Sequence, residues 1–377
     1  MSHEEQRLFL APSSSYTVHS PEVGSLAIRG NFLSYYWDEV KESWSLAWPM
    51  VFTYLCQQTG YLFGMAYVGH LGAAELGAAS LGNMFCNLTG VVIGFGLATA
   101  LDTLTSQAWG AGDARSRAMV GVHSQRMAFL LLLCTAPIGF LWMHSTTPLL
   151  LWTGQTPEVA ALAGEYTRFA FPGLYALYVS EIAKRFLQVQ GKSTYILLAS
   201  SGAAAAAPFL LWLLIYSPTP LSIGFTGCPL ALALVNIFMC ALLLSTITLR
   251  PDCRSGGVWR GWTWKALDLC STPDARALLS LGIPGLIMLG AEWGAFEGLS
   301  ILAGLCGPPT TETSALGQSA VSHSDSHVPY LSSATSSLFY FGDRATSLAA
   351  HSVAANTLTF LFMVPMVCSS GVDAHVA

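Results

Sequence analysis

Long apolar runs broken by short polar stretches organise this chain from residue 44 onward. A helix needs ~20 apolar residues to cross ~30 Å of hydrocarbon. The pattern predicts eight such spans, near 44–67, 77–101, 119–143, 163–186, 194–216, 224–249, 278–304 and 347–370, the fourth being the least apolar. Three polar stretches interrupt it. Residues 1–42 carry Pro12, Pro21 and the run Ser13 to Ser15, lack the apolar core of a signal peptide, and read as a disordered cytosolic tail. Residues 251–277 connect spans six and seven, with Trp259, Trp262 and Trp264 as an interfacial belt. Residues 305–346 are rich in Ser, Thr and Pro, bury too little apolar surface to order themselves, and read as an extramembrane insertion. His323 and His327 in that stretch belong to a solvated loop rather than a metal site.

Composition points the same way. Hydrophobic residues make up 53% and charged residues 10% of the 377, with a mean hydropathy of +0.52. A soluble domain carries about 25% charged residues, and a charge at the bilayer centre costs at least ~2.5 kcal/mol. Lys and Arg then orient the spans. With the N-terminus in the cytosol and eight crossings, 14 of the 16 basic residues fall on the cytosolic side, leaving Arg168 and Arg344 outside. Arg115, Arg117 and Arg126 are assigned to the cytosolic loop after span two. The net charge of −5 says nothing about nucleic acid, but the basic residues are spread singly rather than gathered in a patch, so no nucleic-acid partner is expected. Nine cysteines without a C-x-x-C pair read as free buried thiols. No H-E-x-x-H, G-x-S-x-G or paired intramembrane aspartates occur, so the chain does not read as an enzyme.

Small residues recur within the spans. Gly60 with Gly64, and Gly90 with Gly94, give the G-x-x-x-G spacing that lets helix backbones approach closely. The glycosylation pattern at Asn87 lies inside span two, away from any lumenal loop. The stretches Leu76 to Asn83 and Leu348 to Asn356 look alike, and each follows a span that opens near a proline, Pro49 or Pro284. Repeated helical units are common among secondary transporters. Pro49 lies 27 residues before Leu76 and Pro284 lies 64 before Leu348, and the excess falls within 305–346.

Particular residues then become diagnostic. The run NLTGVVIGFGLATALDTLTSQAWG, from Asn87 to Gly110, resembles the second span and following loop of the eukaryotic multidrug and toxin extrusion (MATE) family. So do Gly69 to Gly72, Gln188 to Gly191, and Gly282 to Pro284. AEWGAFE, from Ala291 to Glu297, is similar to that family's paired-glutamate motif. The resemblance covers about residues 40–304 and 347–370. It implies an all-α membrane protein, a polytopic helical bundle of two six-helix lobes around a cleft. On that plan 43–250 is a complete N-lobe, 251–277 a cytosolic linker, and 278–377 a partial C-lobe of two spans. The chain therefore reads as truncated after about eight of twelve helices. Family members exchange protons or sodium ions for organic cations and other small molecules.

Glu292 and Glu297 are the acids of span seven, and both are expected deep in apolar surroundings. A desolvated carboxylate holds its proton more tightly, so it can exchange that proton for a cation. Five residues turn a helix by about 500°, placing the two side chains about 140° apart. One is expected to face the cleft and the other the lobe interior. Pro284 is expected to bend the span and free backbone carbonyls. Asn87 is a candidate partner of Glu292 or of substrate. Gln57, with Gln58, is a candidate cleft residue, and Trp293 and Phe296 are candidates to stack on a cation. Asp102 is expected to fix a loop, and Glu181, Lys184 and Arg185 to form a cytosolic ion cluster.

The reading is a secondary antiporter that exports small organic cations, xenobiotics or metabolites. It needs no cofactor beyond a coupling proton, or sodium in its place. Its partners are the substrate and the lipid bilayer, and it is expected to act as a monomer if complete, in the plasma membrane or an endomembrane. The rivals are a non-transporting fragment or the product of a faulty gene structure, and a lipid-type flippase, whose cleft would need basic residues that these spans lack.

Overall fold

The computed structural model describes residues 32–218, 220–254, 258 and 273–305. The insertion, span eight, the tryptophan belt and residues 1–31 lie outside them. Two compact units are present, Met1–Ser45 and Leu46–Ala377. Of the first, only a helical stretch that begins at Phe32 is described.

Among the described residues there are helices and no strands. Helix α1 spans Phe32–Gly69, so residues 32–42 are helical rather than part of a tail. Helices α2 (Ala73–Cys86) and α3 (Val92–Gly110) are joined through a π-helical turn at Asn87–Val91. Then come α4 (Ala114–His144), the short α5 (Thr146–Trp152), and α6 (Pro157–Ala170). A 3-10 turn, Phe171–Gly173, leads into α7 (Leu174–Gln188). Helices α8 (Ser193–Ile215), α9 (Gly227–Leu249), the single turn α10 (Pro251–Arg254) and α11 (Pro273–Leu305) complete the order. Seven predicted spans are thus helical. Among the described residues five segments, Ala73–Gly110, Ala114–His144, Ser193–Ile215, Gly224–Leu249 and Arg276–Ala295, are long and apolar enough to cross a membrane. The predicted fourth span is the broken pair α6–α7, in keeping with its weaker hydropathy.

Local chemistry explains the boundaries. Asp113 caps α4, its carboxylate accepting from the Arg115 and Ser116 N–H groups at 3.1 and 3.0 Å. Gly112, with φ of +77°, supplies the left-handed residue that ends the α3 loop. Pro157 opens α6 where its missing N–H is harmless, and Glu158 complements the helix dipole. Within the spans, Thr53, Thr59, Thr105, Ser124 and Thr135 each return their hydroxyl to the carbonyl four residues back, so these polar groups need no water. Helix α11 continues without a break through Pro284.

Glycine sets how closely the helices approach. A Cβ on Gly82 would sit 2.8 Å from the Tyr166 ring, and one on Gly96 would sit 2.5 Å from the Leu286 Cα. Gly90 and Gly94 lie directly beneath Trp142 and Tyr178. The G-x-x-x-G pair of span two therefore receives two aromatic rings, and the pair in α1 packs on Leu232 of α9. Helix α11 runs antiparallel along α3, with Gly282 against Leu97, Leu286 against Gly96, and Gly290 against Val92.

Candidate functional site

The antiparallel contact of α3 and α11 brings the end of α11 to the π turn. There the Asn87 amide donates to Glu297 Oε1 at 2.9 Å, with both residues half-buried. Asn87 thus meets Glu297 rather than Glu292. Glu292 is exposed, so the expectation that both acids lie deep in apolar surroundings holds for neither in full. The predicted angular separation explains the split: one carboxylate faces α3, and the other turns away. Among the described residues, Asn87 is the polar partner of Glu297.

The turn that presents Asn87 is itself held at three points. Trp142 Nε1 donates to Thr89 Oγ1 at 2.8 Å, Thr89 Oγ1 donates to the Phe85 carbonyl at 2.6 Å, and the Tyr178 hydroxyl donates to the Gly90 carbonyl at 2.9 Å. A π turn widens the helix by one residue and leaves carbonyls in need of new donors; Tyr178 supplies one. Trp293 stands edge-on to Phe95, with ring centroids 6.5 Å apart. Gln57 is half-buried, its amide directed at the Met239 sulfur at 3.8 Å. Phe296 lies on α11, and its side chain is outside the described set.

A second carboxylate site has a different make-up. Glu181, 4% exposed, is paired with both Lys184 and Arg185, and Arg185 Nε reaches Asp102 at 3.1 Å. Lys184 also lies over the Tyr54 and Phe95 rings, at 5.5 and 6.0 Å. The predicted ion cluster exists, with Glu181 and Lys184 buried among α1, α3 and α7 and Asp102 exposed at its edge. Arg126 departs further from expectation. It is not in a loop but about 18 Å along α4 from Ala114, and only 3% exposed. Its Nε and Nη1 have no hydrogen-bond partner among the described residues.

At the helix ends, the Asp113 carboxyl is held below its usual range by its Ser116 and Arg115 donors. Asp252 is likewise lowered, chiefly by the Tyr195 hydroxyl at 2.9 Å. Among the described residues no group of three His, Cys, Asp or Glu side chains is placed to hold a metal ion.

The site is thus a half-buried glutamate on one apolar helix that takes an amide donor from another, within a helical membrane bundle. Comparison with known proteins gives the family. A family model described as MatE matches residues 49–213. Protein DETOXIFICATION 16 of Arabidopsis thaliana is 33% identical over 279 residues, which is 74% of this chain and 54% of that protein. Multidrug and toxin extrusion protein 2 of Oryctolagus cuniculus is 32% identical over 287 residues, 76% of this chain and 45% of that protein. The crystal structure of the eukaryotic MATE transporter AtDTX14 superposes with a TM-score of 0.64 at 25% identity, over 88% of this chain and 69% of that one. The chain belongs to the MATE family, on its eukaryotic branch. It spans about half the length of the curated relatives it matches.

Proposed function

We propose that the protein is an antiporter that exports small organic cations or related metabolites in exchange for protons, with the N-terminus in the cytosol. The Asn87–Glu297 contact is the observation that carries this reading. Among the described residues, Glu297 is an intramembrane acid with one neutral donor and no paired cation, so its carboxylate is free to hold a proton or to release it and attract a cation. One carboxylate with two mutually exclusive occupants is sufficient for exchange. Glu292, a turn and a half earlier and exposed, is the second acid of the site. Trp293 and Phe95 give aromatic faces beside it on which an organic cation can rest. The names of the relatives, detoxification and multidrug and toxin extrusion, support the same substrate class.

The test is uptake of tetraethylammonium into vesicles bearing the chain, driven by an imposed pH gradient. Uptake that needs the gradient, and is lost in both Glu297→Gln and Glu292→Gln at unchanged membrane insertion, supports the reading. Gradient-independent uptake, or full uptake in Glu297→Gln, refutes it.

A further inference from the structure

A cavity of about 40 Å³ lies among α1, α2, α4, α6, α7 and α9. Its wall is apolar except for a cluster of uncharged polar side chains: Tyr61, Asn83, Asn87, Tyr166 and Asn236. Among the described residues, Asn83, Asn236 and Tyr61 form no side-chain hydrogen bond. Asn87 spends one amide N–H on Glu297 and lines the cavity as well. Asn83, Asn236 and Tyr61 are all half-buried, and within a membrane bundle a carboxamide without a partner costs about 1–3 kcal/mol, so a recess that gathers several favours an occupant that bonds to them. The volume fits water. One water needs ~10–15 Å³ of such space and two to four polar partners, so the cavity has room for about three. A metal ion fits less well, because the lining carries no carboxylate.

We infer that this cavity is a water site whose waters join Asn83, Asn236 and Tyr61 to the Asn87 carboxamide and so hold that amide on Glu297. The three residues are positioning residues: they act on the carboxylate through water and Asn87. The role assigned to Glu297 here rests on the proposed antiport, whereas the presence of water does not. Among the described residues, the charged groups on the helices packed against α11, including Glu75, Asp102, His123 and Arg126, neither ion-pair nor hydrogen-bond with Glu297, and Glu292 on its own helix does not either. The Asn87 amide is therefore the contact through which the cavity can act.

Radiolytic hydroxyl-radical labelling of the full chain in detergent tests the first part, because radicals formed from trapped water label only adjacent side chains. Tyr166 is 2% exposed and Trp142 2% exposed, yet both should label at rates typical of exposed rings. Labelling no faster than that of other buried rings, such as Phe186, would overturn the water site. The second part is read from the pH dependence of carbodiimide labelling at Glu297, which follows protonation and needs no transport. In Asn236→Leu and Asn83→Leu the half-labelling point should move up by about one pH unit, as the carboxylate loses hydrogen-bond support. Asn236→Ser, which keeps a hydroxyl, should restore most of the wild-type value. An unmoved half-point in the folded Leu variants would overturn the positioning role. If those variants fail to insert, Tyr61→Phe gives the same reading with less change in shape. Wild-type chain that labels in the cavity but shows no pH-driven uptake would sink the antiport reading and leave the water site standing.

Discussion

Two carboxylates lie within this bundle in surroundings that differ in kind. Glu181 faces two cations on its own helix, with Asp102 closing the cluster on Arg185. The four charges cancel, and each side chain is committed to another. Glu297 has one amide donor and, among the described residues, no cation. A carboxylate with its counter-charges already in place has no reason to exchange them, and removing it strands the buried Lys184 and leaves Arg185 with Asp102 alone. A carboxylate with a single neutral donor remains open to a proton or an incoming cation. Charge saturation, more than depth of burial, thus separates Glu181 from the carboxylate proposed to exchange.

The comparison can be broken from either side. The largest expected effect is on transport: Glu297→Gln should reduce pH-driven uptake of tetraethylammonium to background and leave the melting temperature nearly unchanged. Glu181→Gln should do the reverse, destabilising the protein by about 3–5 kcal/mol and lowering its abundance, measured by thermal unfolding in detergent. Next is Gly96→Ala. Its Cβ would lie 2.5 Å from the Leu286 backbone, so α3 and α11 must separate. A loss of about 1–3 kcal/mol is expected, with a fall in transport as Asn87 and Glu297 move apart. Gly202→Ala, which meets only a leucine methyl at 3.4 Å, is the control. The smallest effect is at Asp113. Its carboxyl is lowered in the folded protein, so its capping contribution is complete above the unfolded value of about 3.9. That contribution is lost as pH falls through the folded value. Asp113→Ala should lower the melting temperature slightly at pH 7 and not at all once both forms are protonated.

Much of the fold was legible in the sequence, because twenty-residue apolar runs leave few alternatives to a spanning helix. All seven predicted spans within the described residues are helical, and the small-residue spacings mark real close approaches. The motif around Glu292 and Glu297 led to the helix that packs along α3. Three features were not legible. The partner of Asn87 depends on how α11 lies along α3, a three-dimensional relation without a local signal. The π turn arises from one extra residue, which hydropathy does not register. By sequence Arg126 reads as a loop residue because a count of basic residues assigns side but not depth, whereas a helix that begins at Ala114 carries it well into the bundle. An arginine twelve residues inside a helix already begun by a capping Asp113 is the signal that would have found it.

In the proposed antiport Glu297 is the group that exchanges a proton for a cation. The most direct test is proton movement measured with an internal pH-sensitive dye as tetraethylammonium enters proteoliposomes. Wild-type chain should show proton flux opposite to and dependent on the cation, and folded Glu297→Gln should show none. Equal proton coupling in Glu297→Gln and wild type would contradict the account.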